Sequence, residues 1–220
     1  FKCDWSSDGS SDLADTAPDL VAATNKLLLA RNLDPKPYEF LRPYASAGAR
    51  GLLEGAFGIG ADHPDFIGLR DEFFFNYENA LLVNSKLFED IDHLLDLMDQ
   101  AKLPWGIVTN KSQRFTNPLV ELMGLNQRSI STVSGDTTPH SKPHPEPILH
   151  AAKLANIDPT KSLYVGDDIR DVIAGKAAGM KTVAAAYGYC GCKEPPEAWG
   201  ADYLINTPLE LVEIIFPSKD

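Results

Sequence analysis

Cysteine is scarce in this chain: three among 220 residues, at Cys3, Cys190 and Cys192. An odd, low count fits free thiols in a reducing compartment and excludes a disulfide-stapled scaffold. Cys190 and Cys192 flank a single Gly191, so the two-residue spacer of the usual redox or zinc pair is missing. Long apolar runs are missing as well. No stretch reaches the ~18 apolar residues of a membrane span, and the first residues carry no long apolar segment of the signal-peptide kind. The expectation is a cytoplasmic protein with no membrane partner. Basic excess is also lacking. Lys and Arg total 20 against 31 Asp and Glu, a net charge of -11, which argues against a nucleic-acid partner. His140, His144 and His150 do not match a familiar zinc spacing. No internal repeat or low-complexity segment interrupts the chain.

What is present is an ordinary globular composition, 44% hydrophobic and 23% charged, long enough to bury a core. The most informative stretch is Leu163-Tyr164-Val165-Gly166-Asp167-Asp168-Ile169-Arg170-Asp171. An apolar run of this kind predicts a buried parallel strand, and Asp168 opens a helix. The acids then sit at the carboxyl end of a strand, where open α/β sheets bind ligands. Hard oxygen ligands gathered there fit Mg²⁺, which takes one or two carboxylates plus waters and substrate phosphate. One acid alone would suit a helix cap, and Asp168 fits that role best.

Along the chain, residues 1–16 are polar and acid-rich, with only a weak strand signal over 1–5. Helical spacing then runs over 18–31, 48–57 and 64–79, with no convincing strand before residue 88. The aromatic stripe Phe66, Phe73, Phe74 and Tyr77 is expected to pack. After residue 87 the rhythm changes. Helices over 90–101, 113–123, 146–155, 168–178 and 208–215 alternate with short strands over 105–108, 131–133, 163–166, 181–185 and 203–205. That alternation means βαβ units and a parallel sheet. The predicted fold class is α/β, a Rossmann-like doubly wound parallel sheet with an α-helical cap inserted after the first strand. The core would comprise residues 1–16 and 88–220, and the cap residues 17–87.

Two further features lie at strand ends. Thr109-Asn110 follows the run Trp105-Gly106-Ile107-Val108, where a hydroxyl and adjacent N–H groups can bond a phosphate. Lys142 lies in Ser141-Lys142-Pro143-His144-Pro145, a loop stiffened by proline, and can neutralise phosphate charge. Read singly, the first is an ordinary helix cap and the second a surface lysine. Read together with the acid cluster, they describe a phosphate pocket with a divalent cation. Its nucleophile should come from the end of the first strand.

This order of elements resembles the haloacid dehalogenase superfamily of phosphatases, over nearly the whole chain. The family pattern is an Asp-x-Asp-Gly-Thr element, a strand ending in Thr or Ser, a Lys, and Gly-Asp-x-x-x-Asp. Thr109, Lys142 and the Gly166/Asp167/Asp171 set resemble the last three. The likeness sharpens toward phosphoglycolate phosphatase-like members in Asp15-Thr16-Ala17-Pro18-Asp19-Leu20, in Arg42-Pro43 and in the 46–53 run. The stretch 105–111 and the tail with Tyr187-Gly188-Tyr189, Pro195-Pro196 and Trp199-Gly200-Ala201-Asp202 look most like bacterial N-acetylmuramic acid 6-phosphate phosphatases.

The first motif departs from the family. Counting back from Asp15 without gaps puts Asp8 at the nucleophile, Ser10 at the general acid/base, and Ser11-Asp12 in place of Gly-Thr. Taking Asp8-Gly9-Ser10 as the Asp-Gly-Thr makes Asp8 the acid/base and leaves Ser6 at the nucleophile position.

The resemblance implies a Mg²⁺-dependent phosphomonoesterase forming an aspartyl-phosphate. Asp8, Thr109 and Lys142 would be catalytic, and Asp8, Asp167 and Asp171 would hold the metal. Thr109, Asn110 and Lys142 would bind phosphate, while Arg42 and Arg50 of the cap meet an anionic substrate. The partner would be a small phosphorylated metabolite, 2-phosphoglycolate or N-acetylmuramic acid 6-phosphate, and the protein a monomer or homodimer. The competing expectations are a phosphate-binding protein impaired by its first motif, a phosphoryl-transfer mutase, or a dehalogenase proper that needs no Mg²⁺.

Overall fold

The structure is a computed structural model that describes residues 2–7, 12–191 and 194–217, residues 2–7 as backbone only. In chain order the elements are β1 (Lys2–Ser7), β2 (Ala14–Asp15), α1 (Ala17–Leu29), α2 (Tyr38–Leu41), a 3₁₀ turn (Arg42–Ala47), α3 (Gly48–Phe57), α4 (Phe66–Glu78) and β3 (Lys86–Leu87). There follow α5 (Ile91–Gln100), β4 (Trp105–Thr109), α6 (Gln113–Leu122), β5 (Thr132–Val133), α7 (Glu146–Leu154), β6 (Ser162–Gly166), α8 (Ile169–Ala177), β7 (Lys181–Ala185), β8 (Tyr203–Ile205) and α9 (Glu210–Ile215).

Six strands form one sheet in the order β5-β4-β1-β6-β7-β8, parallel throughout. The α/β parallel-sheet expectation holds. The chain starts in the middle, winds outward through β4 and β5, then crosses back to β6 and out to β8. The winding reverses at β1, and the crevice at such a reversal is where open α/β sheets bind ligands. Alternation along the strands serves both faces. Trp105, Ile107, Leu163 and Val165 join α5 and α9 in one apolar cluster, while Val108 and Tyr164 join α7 and α8 in another.

Two features add to what the sequence shows. The polar segment Lys2–Ser7 is the central strand, paired to β4 with Ser7 opposite Thr109 and to β6 with Trp5 opposite Val165. A second, two-stranded antiparallel ribbon joins Ala14–Asp15 to Lys86–Leu87, where no strand is evident from sequence. Each of its strands has two residues, too few for any periodicity to register.

Helices α1 to α4 share an apolar cluster of their own, built on Leu20, Leu27, Leu52, Leu53, Phe73 and Tyr77. It also takes in Phe115 of α6 and Tyr189 beyond β7, so these helices rest directly on the sheet's ligand-binding end. The two chain passages between them and the sheet are pinned together by Asp19. Its buried carboxylate accepts from the N–H groups of Val83 (2.9 Å), Asn84 (2.9 Å) and Ser85 (3.0 Å) and from the Ser85 hydroxyl (2.6 Å).

Candidate active site

The site gathers at the carboxyl ends of β4, β1 and β6. Lys142 is its cationic centre. The side chain is fully buried, its ammonium 3.1 Å from Asp171 Oδ1, and it donates to the Val108 carbonyl at 2.9 Å. The loop carrying it is fixed by Asn110. The Asn110 amide donates to the Lys142 carbonyl at 2.9 Å, and its oxygen accepts the Lys142 N–H at 2.9 Å. Asn110, expected at the substrate, is thus engaged in holding Lys142. Thr109 ends β4 buried, its hydroxyl accepting the Lys111 N–H at 3.0 Å, so the chain turns tightly around it.

The acids divide by role. Asp168 caps α8: it accepts the Arg170 N–H at 2.9 Å, and Asp171 returns the bond by accepting the Asp168 N–H at 3.1 Å. This is a capping box. Burial pushes the Asp168 carboxyl up, but the Arg170 guanidinium at 2.8 Å outweighs it and holds the group below its ordinary value. Asp171 has one oxygen on Lys142 and the other on that N–H.

Asp167 accepts the Tyr189 N–H at 2.9 Å. Burial, then the neighbouring Asp171 carboxylate, pushes it up to about 7. The backbone must close tightly over these acids. A Cβ on Gly188 would lie 2.3 Å from that of Asp167, and one on Gly166 would lie 2.3 Å from that of Asp171.

Asp12, to which the sequence pattern assigns no role, joins this cluster. Its side chain is fully buried, and among the described residues neither carboxylate oxygen has a hydrogen-bond partner. Burial, then the charges of Asp167 and Asp171, raises it well above its ordinary value against the pull of Lys142. Its own carbonyl accepts the Tyr187 hydroxyl at 2.9 Å. Nothing in the spacing singles Asp12 out, because the signal is spatial: a strand-end loop folds it against residues 155 and more positions away.

Asp8, expected as nucleophile and metal ligand, lies outside the described residues, directly after Ser7 in sequence. Arg42 reaches the site's rim. Its guanidinium donates to the Gly188 carbonyl at 3.4 Å and stacks 4.8 Å over the Tyr189 ring. Arg50 is not brought in; it is exposed on α3. The rings of His140 and His144 lie tilted against each other in an exposed loop, their centroids 4.3 Å apart. Among the described residues no group of three or more His, Cys, Asp or Glu forms a ready metal cage. The donor set nevertheless fits a hard divalent cation. Three buried carboxylates stand around one buried ammonium, and both Asp12 oxygens lack a partner among the described residues.

Beside Thr109 a cleft of about 270 Å³ opens between the helices and the sheet, lined by Gly48, Phe73, Phe74, Tyr77, Asn110 and Lys111. The Lys111 ammonium donates to the Tyr77 hydroxyl at 3.1 Å. The aromatic stripe therefore packs on one side, as expected, and walls a cleft on the other. From Ser46, beneath the helices, the hydroxyl reaches Asp168 at 3.5 Å and the carbonyl accepts the Arg170 guanidinium at 3.1 Å.

A parallel sheet with a buried Lys–acid cluster at its switch point, roofed by helices, defines a capped α/β enzyme that handles anionic substrates. The haloacid dehalogenase-like hydrolase model matches residues 11–185. N-acetylmuramic acid 6-phosphate phosphatase of Pseudomonas aeruginosa is 39% identical over 208 residues, 94% of this chain and 92% of the relative. Phosphoglycolate phosphatase of Xanthomonas campestris pv. campestris is 39% identical over 201 residues, 91% of this chain and 90% of the relative. The crystal structure of a predicted phosphoglycolate phosphatase from Haemophilus somnus 129PT superposes with a TM-score of 0.83, at 23% identity and 98% coverage of both chains. The chain belongs to the haloacid dehalogenase-like hydrolases, and within them to the phosphatases.

Proposed function

We propose that this phosphatase is a Mg²⁺-dependent phosphomonoester hydrolase that works through an aspartyl-phosphate and takes a sugar phosphate of the N-acetylmuramic acid 6-phosphate kind. The observation that carries the reading is Lys142, a buried lysine whose backbone is clamped by Asn110 and whose ammonium lies beside buried acids at the strand ends. A lysine confined there serves an anion that enters the site. Lys142 and Thr109 hold the phosphate oxygens, and Asp171 keeps the ammonium aimed. Asp8 attacks phosphorus in the gapless register of the first motif. Asp167 and Asp8 would hold the cation, with Asp171 keeping Lys142 in place beside it. When bound, Mg²⁺ offsets the repulsion between the attacking carboxylate and the phosphate.

The cleft favours a leaving group larger than glycolate. A two-carbon acid would leave most of its volume unfilled, whereas the half-buried Phe74 offers a face to a sugar ring and Lys111 offers charge to a carboxylate. The helices exclude bulk water from the phosphorus. The low cysteine count favours a cytoplasmic setting, and we take the working form to be a monomer or homodimer.

A second reading, phosphate-ester binding with little turnover, is favoured by Ser10 standing where a general acid/base carboxylate is expected. Losing such a group costs on the order of 10²–10⁴ in rate. Hydrolysis of p-nitrophenyl phosphate with and without Mg²⁺ separates the two. The enzyme reading expects Mg²⁺-stimulated release that Asp8→Asn abolishes. No release, together with thermal stabilisation by a sugar phosphate, would establish the binding reading instead.

A further inference from the structure

Resting on that reading of the site, we propose that Asp12 is a carboxylate ligand of the divalent cation, paired with Asp167. Asp12 is fully buried, and both of its oxygens lack a hydrogen-bond partner among the described residues. Burying a carboxylate without a partner is costly enough that folded proteins place a cation or donors against it. The buried cation at hand is already committed: Lys142 lies 3.1 Å from Asp171 and donates to the Val108 carbonyl. Arg170 is likewise committed to Asp168. Ionised, as ligands of a cation would be, Asp12, Asp167 and Asp171 would carry three negative charges against the one of Lys142, an excess of the size a divalent ion offsets.

The oxygens sort in the same way. Asp171 uses both of its own, on Lys142 and on the Asp168 N–H. Asp12 differs in having neither oxygen on a hydrogen-bond partner among the described residues, and beside Asp167 it offers the hard oxygen ligands that Mg²⁺ takes, with waters completing the shell.

The surroundings hold these two acids as a pair. The turn after β7 grips both: the Tyr187 hydroxyl donates to the Asp12 carbonyl at 2.9 Å, and the Tyr189 N–H donates to Asp167 at 2.9 Å. Gly188 sits between them, where a Cβ would collide with Asp167. Ligands fixed by outer bonds of this kind are typical of metal sites. The acid at position 12 is also this chain's own feature, since the gapless register of the first motif puts a Thr there. It supplies a carboxylate close to the motif that has lost one at Ser10.

The test is Mg²⁺ binding by isothermal titration and thermal melting, on the full chain stripped with EDTA. Wild type should bind Mg²⁺ and melt higher with it. Asp12→Asn keeps the side chain's size and should bind Mg²⁺ ~10-fold or more weakly. The stripped Asp12→Asn variant should melt above stripped wild type at neutral pH, because a carboxyl that ionises more readily in the unfolded chain than in its buried site is gone. Asp12→Ser should repeat the loss of Mg²⁺ affinity. A variant that melts lower or fails to fold overturns the proposal, which requires the opposite sign. Wild-type Mg²⁺ affinity in Asp12→Asn, with loss in Asp167→Asn, also overturns it while leaving the cation site standing. No Mg²⁺ binding by wild type would remove the cation reading and this inference together.

Discussion

Lys142 and Asp171 are buried at 3.1 Å, and each leaves the other stranded if removed. Lys142→Met should cost about 3–5 kcal/mol of stability, the usual result of breaking a buried pair on one side. It should also lower kcat on the order of 10²–10³-fold, the cost of losing one preorganised group at developing charge. Chemical denaturation and steady-state kinetics on the same preparation would separate the two effects. Asp171→Asn offers the contrast, removing the partner while keeping the ammonium. Lys111 acts further out. Lys111→Met should raise KM for a carboxylate-bearing sugar phosphate about 10-fold with little change in kcat, the pattern of a group that binds ground and transition states alike. A fall in kcat instead would move Lys111 into the reacting centre.

Elements position these side chains, and their legibility varies. Strands β4 and β6 are visible in sequence because buried parallel strands are apolar throughout, as Trp105–Val108 and Leu163–Val165 are. Lys2–Ser7 carries almost no such signal, yet it occupies the centre of the sheet through backbone pairing on both edges. The Gly166-Asp167 turn is legible as chemistry because it sits where an apolar run stops, and Lys142 because it lies in a loop stiffened by proline. The role of Asn110 and the burial of Asp12 are not, since both depend on contacts between distant strand ends. The Asp19 clamp is equally non-local. Asp19→Ala would strand three N–H groups over 83–85 and should destabilise by about 2–4 kcal/mol; thermal melting checks this, and a neutral change would remove Asp19 as the pin between helices and sheet. At the sheet edge, Asp202 bonds the Lys181 ammonium at 2.7 Å and the Thr182 N–H at 2.9 Å. The Lys181 bond leads in holding its carboxyl down to about 2. A depressed carboxylate stabilises above its unfolded value near 4, so this contribution is lost as pH falls from ~4 toward ~2. Asp202→Asn should flatten the acid-side stability profile in that window, measured by urea denaturation.

At the scale of the whole molecule, the helical layer and the sheet meet at one place. Ser46 lies against Asp168 and Arg170, Arg42 against Gly188 and Tyr189, and Phe115 and Tyr189 sit within the helices' own apolar cluster. The cleft opens at that seam, lined by Phe74 from the helices and by Asn110 and Lys111 from the sheet's strand end, so what fits there is read by side chains from both layers. Among the described residues no helix is long and apolar enough to cross a membrane. The central claim is that this seam selects a bulky sugar phosphate for hydrolysis. The most direct measurement is phosphate release by the purified chain with Mg²⁺, comparing N-acetylmuramic acid 6-phosphate with 2-phosphoglycolate. The expected result is a kcat/KM at least ~10-fold higher for the sugar phosphate, lost in EDTA and restored by Mg²⁺. Equal or faster release from 2-phosphoglycolate, or release from neither, would contradict it.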